Sequence, residues 1–162
     1  MKLNADQVFE IAERIESNAI EFYTKAADLH SGSADVSFLR DLARMEMSHR
    51  DQFAAWRRSL PDCDREPPAE YPYLIASMQL ESMAGSHGGE GRLSNAFPLS
   101  AQDRLRDVVL AGLRSEEKTI VFYLDLRELA ANERGRAEMD RIIAEEKQHA
   151  ATLVGKLAEL DA

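Results

Sequence analysis

The chain has 162 residues, 44% hydrophobic and 30% charged, the size and balance of one globular domain able to close its own core. Its net charge of −9, from 20 basic against 29 acidic residues, argues against nucleic acid as a partner, since that binding relies on lysine and arginine displacing counterions. The one cysteine, Cys63, excludes a disulfide or a four-cysteine metal site within the chain. With no signal core and no spanning run, no membrane and a reducing cytoplasm are expected.

Asn4 is a good N-cap for a first helix, and Gln7 completes a capping-box pattern. Val8, Ala12, Ile15, Ala19, Phe22, Ala26 and Leu29 then recur at three- and four-residue spacing, one apolar stripe of a helix. Glu16 falls at the edge of that stripe or within it. Residues Ser31 to Asp35 break the pattern. The second helix carries Leu39, Leu42, Glu46, His49, Phe53, Trp56 and Leu60, so Glu46 and His49 occupy positions where the pattern calls for hydrophobes. Two ionisable groups in a core seam are costly without a partner, and a metal ion is a partner that suits both.

Pro61 ends this helix. Pro67, Pro68 and Pro72 bar helix, Tyr73 to Ala84 suits a short helix, and Gly85 to Gly91 reads as a glycine-rich loop. A connection this long inside a compact domain fits a crossover between two parallel neighbours of a bundle. Ser100 is expected to cap a third helix, with Asp103 in its first turn. Leu105, Val109, Gly112, Glu116, Ile120, Tyr123 and Arg127 trace one face of it. A turn at Asn132 to Gly135 then precedes a fourth helix, striped by Met139, Ile142, Glu146, His149, Leu153, Leu157 and Leu160. The expected organisation is a single all-α domain over 1–162, a four-helix bundle of two pseudo-symmetric hairpins (about 5–60 and 101–161) joined by the crossover 61–100.

The halves repeat. Laid over each other without a gap, they match at Val8/Val108, Arg14/Arg114, Glu16/Glu116, Ile20/Ile120, Phe22/Phe122, Tyr23/Tyr123, Leu29/Leu129, Glu46/Glu146, His49/His149 and Leu60/Leu160. What matches includes a Glu from each of two helices and a Glu-x-x-His from each of two others, the inward set that holds two metal ions in a four-helix bundle. Glutamate and histidine three residues apart leave one face of a helix together. The candidate ligands are Glu16, Glu46, His49, Glu116, Glu146 and His149, with Glu46 and Glu146 bridging, Glu16 and Glu116 each capping one ion, and one imidazole on each. Tyr23 and Tyr123 are candidate catalytic residues that orient a carboxylate by donating to it. Glu117 and Glu145, pointing about 100° away around their helices, stay outside the ligand set. Four carboxylates and two imidazoles suit two iron ions and also accept manganese or zinc. Met47, His30, His87 and Cys63 are read as surface, edge or inert positions.

Glu16 with Ala19-Ile20-Glu21-Phe22-Tyr23, Glu46-x-x-His49, Glu116 with Ile120-Val121-Phe122-Tyr123, and Glu145-Glu146-x-x-His149 together resemble the rubrerythrin-related branch of the ferritin-like superfamily. The resemblance covers essentially the whole chain. It implies a non-haem di-iron centre on the same six ligands that reduces hydrogen peroxide or dioxygen, or oxidises Fe(II). Rubrerythrins proper add a rubredoxin-like domain, for which one cysteine is too few, so a separate electron donor is expected. They also carry a further glutamate near the third-helix ligand, where this chain has Gly112/Leu113 and Thr119/Ile120. The same ligand symmetry resembles bacterioferritin, which makes a ferroxidase or iron-storage protein the alternative; Met47 stands where that family places a haem ligand. A homodimer or small homo-oligomer is expected from the apolar Phe9, Ile20 and Trp56.

Overall fold

The computed structural model describes residues 4–33, 35–65, 99–100, 102–129 and 133–162. Four helices account for most of them: α1 (Ala5–Leu29), α2 (Val36–Arg58), α3 (Leu105–Leu129) and α4 (Glu133–Leu160), with a short 3₁₀ turn at Asp62–Asp64 and no strand among the described residues. None of these helices is long and apolar enough to cross a membrane.

Local chemistry sets the ends. The Asn4 side chain accepts from the Gln7 N–H at 2.8 Å while Gln7 Oε1 accepts from the Asn4 N–H at 3.1 Å, the reciprocal box that the sequence predicts. Ser59 closes α2, its N–H donating to the Ala55 carbonyl at 3.1 Å, just before Pro61, which has no N–H to continue a helix. Two boundaries differ from expectation. α3 starts at Leu105 rather than after Ser100. Ser100 and Asp103 form a separate turn, in which the Ser100 N–H donates to Asp103 Oδ2 at 2.6 Å, and Arg104 then offers the first helical carbonyl to Val108. Glu133 and Gly135, expected in a turn, are already helical, and Glu133 accepts a bond from Arg136 one turn on at 2.8 Å. The expected short helix at 73–84 and the loop at 85–91 lie outside the described residues.

α1 packs along α2 and α3 along α4. The apolar stripes meet in two separate layers. One joins Phe9, Ile11 and Ile15 of α1 to Phe53 of α2, Phe122 and Leu126 of α3, and Met139 and Ile142 of α4. The other joins Phe22, Tyr23 and Ala26 of α1 to Leu39 and Leu42 of α2, Val108 and Val109 of α3, and Leu153 of α4. The start of α1 therefore shares a layer with the end of α2, the end of α3 and the start of α4. α2 and α3 consequently run in the same direction. Leu60 belongs to the first layer and Leu99 to the second, so these two residues lie toward opposite ends of the bundle. At 1.5 Å per residue the 23 residues of α2 measure roughly 35 Å.

The packing corrects one support for self-association. Phe9 is buried inside the chain against Phe53 and Trp56, with ring centroids 6.1 and 5.9 Å away, and offers no surface to a partner. α1 and α2 are further tied by Arg57, whose guanidinium donates to Asp6 at 2.9 Å and to Glu10 at 3.2 Å.

Candidate metal centre

Between the two apolar layers lies a band of charge. Glu16, Glu46, His49, Glu116, Glu146 and His149 are each no more than 5% exposed, one or two from every helix. The sequence put each on an apolar stripe, and helical geometry carries each inward at the same level of the bundle. Glu16 lies within its stripe rather than at the edge.

The arrangement is compact. Glu46, His49, Glu146 and His149 each offer one ligand atom within 4.8 Å of the others, so the four could hold a metal ion between them. Both histidines turn Nδ1 toward the carboxylates. His49 Nδ1 lies 3.0 Å from Glu146 Oε1, 3.7 Å from Glu46 Oε2 and 3.9 Å from Glu16 Oε2. His149 Nδ1 lies 3.2 Å from Glu46 Oε1 and 3.4 Å from Glu146 Oε2. The two rings stack with centroids 4.7 Å apart and planes 13° from parallel.

The tyrosines cross between the halves. The Tyr23 hydroxyl of α1 donates to Glu116 Oε1 of α3 at 2.8 Å, and the Tyr123 hydroxyl of α3 donates to Glu16 Oε1 of α1. Each phenol thus takes one oxygen of the carboxylate it orients and leaves the other, Oε2, unclaimed by it. Both phenols are fully buried; burial first, and then the nearby carboxylate charges, push their pKa well above the ordinary phenol value, so both remain protonated donors. Tyr23 fits because residue 112 is glycine: a Cβ there would lie 2.7 Å from Tyr23 Oη.

Without a cation the band is short of positive charge. Burial and then the charge of Glu146 push the Glu16 carboxyl up to about 8; burial followed by the neighbouring acids raises Glu46 and Glu116 well above the ordinary range. Glu146 is the exception. Burial alone would raise it, but contact with His149 and His49 holds it down at about 2. His49 responds in kind: burial would lower it, yet its bond to Glu146 and the charges around it push it up to about 9. The metal-free cluster therefore stores protons where divalent ions would replace them. Even so Glu46 Oε1 and Glu146 Oε2 face His149 Nδ1 at 3.2 and 3.4 Å without forming a well-aligned hydrogen bond. Buried carboxylate and imidazole atoms converging within 4.8 Å are the donor set of a transition-metal site, so the residues fit such an ion.

Sequence reasoning missed one contact. Glu145 Oε2 lies 2.9 Å from His49 Nε2, on the far side of the ring from the carboxylates. The signal was present in the pair Glu145-Glu146, but it points from one helix to the histidine of another and no single-helix pattern reveals it. His30, expected at a helix end, does lie at the end of α1, although its Nε2 is buried without a partner. Cys63 is exposed and free.

No protein-family model and no curated protein matches the chain. Among solved structures, one from Thermotoga maritima, a candidate ferritin-like diiron-carboxylate protein determined at 2.30 Å resolution, aligns with 98% of this chain and 97% of its own at a TM-score of 0.65. The two are 18% identical. At that identity the likeness establishes the fold, a ferritin-like helical bundle, into which the buried Glu/His cluster is built.

Proposed function

We propose that this protein is a non-haem oxidoreductase of rubrerythrin type, binding two iron ions through Glu16, Glu46, His49, Glu116, Glu146 and His149 and reducing hydrogen peroxide or dioxygen with electrons from a separate donor. The observation that carries this reading is the buried cluster of Glu46, His49, Glu146 and His149, whose ligand atoms all lie within 4.8 Å of one another in the centre of the bundle. Glu46 and Glu146 each lie beside the Nδ1 atoms of both stacked imidazoles and would be the carboxylates the two ions share; Glu16 and Glu116 would each complete one ion's ligand set. When bound, a ferrous pair supplies one electron from each ion, the two electrons that convert hydrogen peroxide and two protons into two waters.

The chain's own residues do the rest. Tyr23 and Tyr123 keep their protons and hold Oε1 of Glu116 and Glu16, which would leave the other oxygen of each carboxylate for a metal ion. The apolar layers above and below exclude bulk water, which strengthens every charge interaction between them. Manganese fits the same donors, and zinc would occupy them without redox chemistry.

The test is to load the metal-free protein with two equivalents of Fe(II) anaerobically and add one equivalent of peroxide. Oxidation of both irons, far faster than Fe(II) free in the same buffer, is expected. Oxidation no faster than free Fe(II) overturns the reading. A hollow shell of many subunits on sizing chromatography, filling with iron in air, would favour the storage alternative.

A further inference from the structure

The two imidazoles of the centre look alike from inside and differ from outside. His49 directs Nδ1 at the carboxylates, and its outer Nε2 meets Glu145 Oε2 at 2.9 Å. His149 also directs Nδ1 inward, and among the described residues both of its carboxylate contacts, with Glu46 and Glu146, are made by that inner nitrogen. The internal repeat explains the difference. Glu145 stands on α4 and serves a histidine on α2, so its counterpart for the histidine on α4 is the residue preceding Glu46 on α2. That residue is Met45. A thioether carries no charge and accepts hydrogen bonds weakly.

We propose that Glu145 is a positioning residue that makes the two metal positions unequal, so that the ion held through His49 binds more tightly than the ion held through His149. The inference rests on the reading that the cluster holds two ions. A carboxylate at the outer nitrogen keeps the proton there, leaves the Nδ1 lone pair free to face the metal, fixes the ring and raises its basicity. Such partners are worth about 10–100-fold in metal affinity. The Glu145 side chain is 59% exposed, which puts its effect near the lower end, about tenfold. The stacked rings already share one orientation, so the inequality arises at the outer nitrogens.

Cobalt(II) added to the metal-free full-length protein tests this. Two neighbouring dications repel, so even equal positions would fill in two steps; the position filled by the first equivalent is therefore the informative quantity. Proton NMR of the one-cobalt protein is expected to show one dominant hyperfine-shifted imidazole N–H, that of His49. In Glu145→Ala the first equivalent should divide between the positions, giving two comparable signals and a several-fold weaker first step by calorimetry. Glu145→Gln, whose amide oxygen still accepts from Nε2–H, should restore most of the preference. Combining Glu145→Ala with Met45→Glu should reverse it, with the dominant signal now from His149. Equal signals in the unmodified protein, an unchanged preference in Glu145→Ala, or glutamine no better than alanine would overturn the proposal while leaving the paired-metal reading intact. Failure to bind cobalt or iron at all would remove that reading itself.

Discussion

Replacing Gly112 with alanine probes how firmly the centre is braced. In an ordinary helix interior the change stabilises by roughly 1 kcal/mol, because alanine is the better helix former. Here the new methyl would meet Tyr23 Oη at 2.7 Å, Cε1 at 3.1 Å and Cζ at 3.3 Å. The ring has no room to give, since Tyr23 is fully buried and its hydroxyl is spent on Glu116. Forcing an extra methyl into a filled core costs about 1–3 kcal/mol. Losing the Tyr23–Glu116 bond adds about 1 kcal/mol. Set against the helix gain, the variant is expected to be about 1–3 kcal/mol less stable, measured by urea denaturation of the metal-free protein followed by circular dichroism. Tyr23→Phe removes the nearest clashing atom, so in that background the cost of Gly112→Ala should shrink by about 1 kcal/mol or more, a coupling expected of residues in contact. A Gly112→Ala protein as stable as the original, or equally destabilised with and without the hydroxyl, would refute the packing of Tyr23 beneath Glu116.

Tyr123→Phe should leave the helical spectrum intact and weaken Fe(II) binding about 10–100-fold by releasing Glu16; unchanged affinity would reduce the phenol to filler. Metal-free stability should fall as pH rises from about 5 to about 9. The folded chain keeps the Glu16 proton up to about pH 8 and the His49 proton up to about 9, where the unfolded chain loses them near the ordinary carboxyl value and near 6.5. The raised Glu46 and Glu116 act in the same direction, so unfolding is favoured at the higher pH. Thermal scans across that range check it, and a rise in stability would contradict it. Metal uptake at pH 7 should release protons from the same carboxyls, seen as a dependence of the binding heat on the buffer's ionisation enthalpy; no dependence would mean the site is already ionised.

Much of this arrangement is legible in the sequence, because helices advertise their buried face. A three-four stripe predicts α1 to α4, and Glu46, His49, Glu146 and His149 stand out as charged residues in hydrophobic positions. The repeat then identifies Glu16 and Glu116 as partners and gives the bundle its symmetry. What escapes is whatever depends on the offset between helices. That Tyr23 serves Glu116, and Tyr123 Glu16, follows from how far one antiparallel helix slides along another, which no stripe records. Glu145 looks solvated because it points away from the seam of its own helix; only the lateral placement of α2 brings His49 Nε2 within its reach. The start of α3 departs from the sequence expectation for a local reason. Ser100 and Asp103 are good capping residues, and they make a capped turn of their own before the helix begins at Leu105.

The centre itself is tested most directly by counting ions. Metal-free protein equilibrated anaerobically with excess Fe(II), then freed of unbound metal, should retain two irons per chain, and a His49→Ala, His149→Ala double variant with the same helical content should retain almost none. A chain that holds no iron, or a double variant that holds as much as the original, would contradict a paired-metal site at the middle of the bundle.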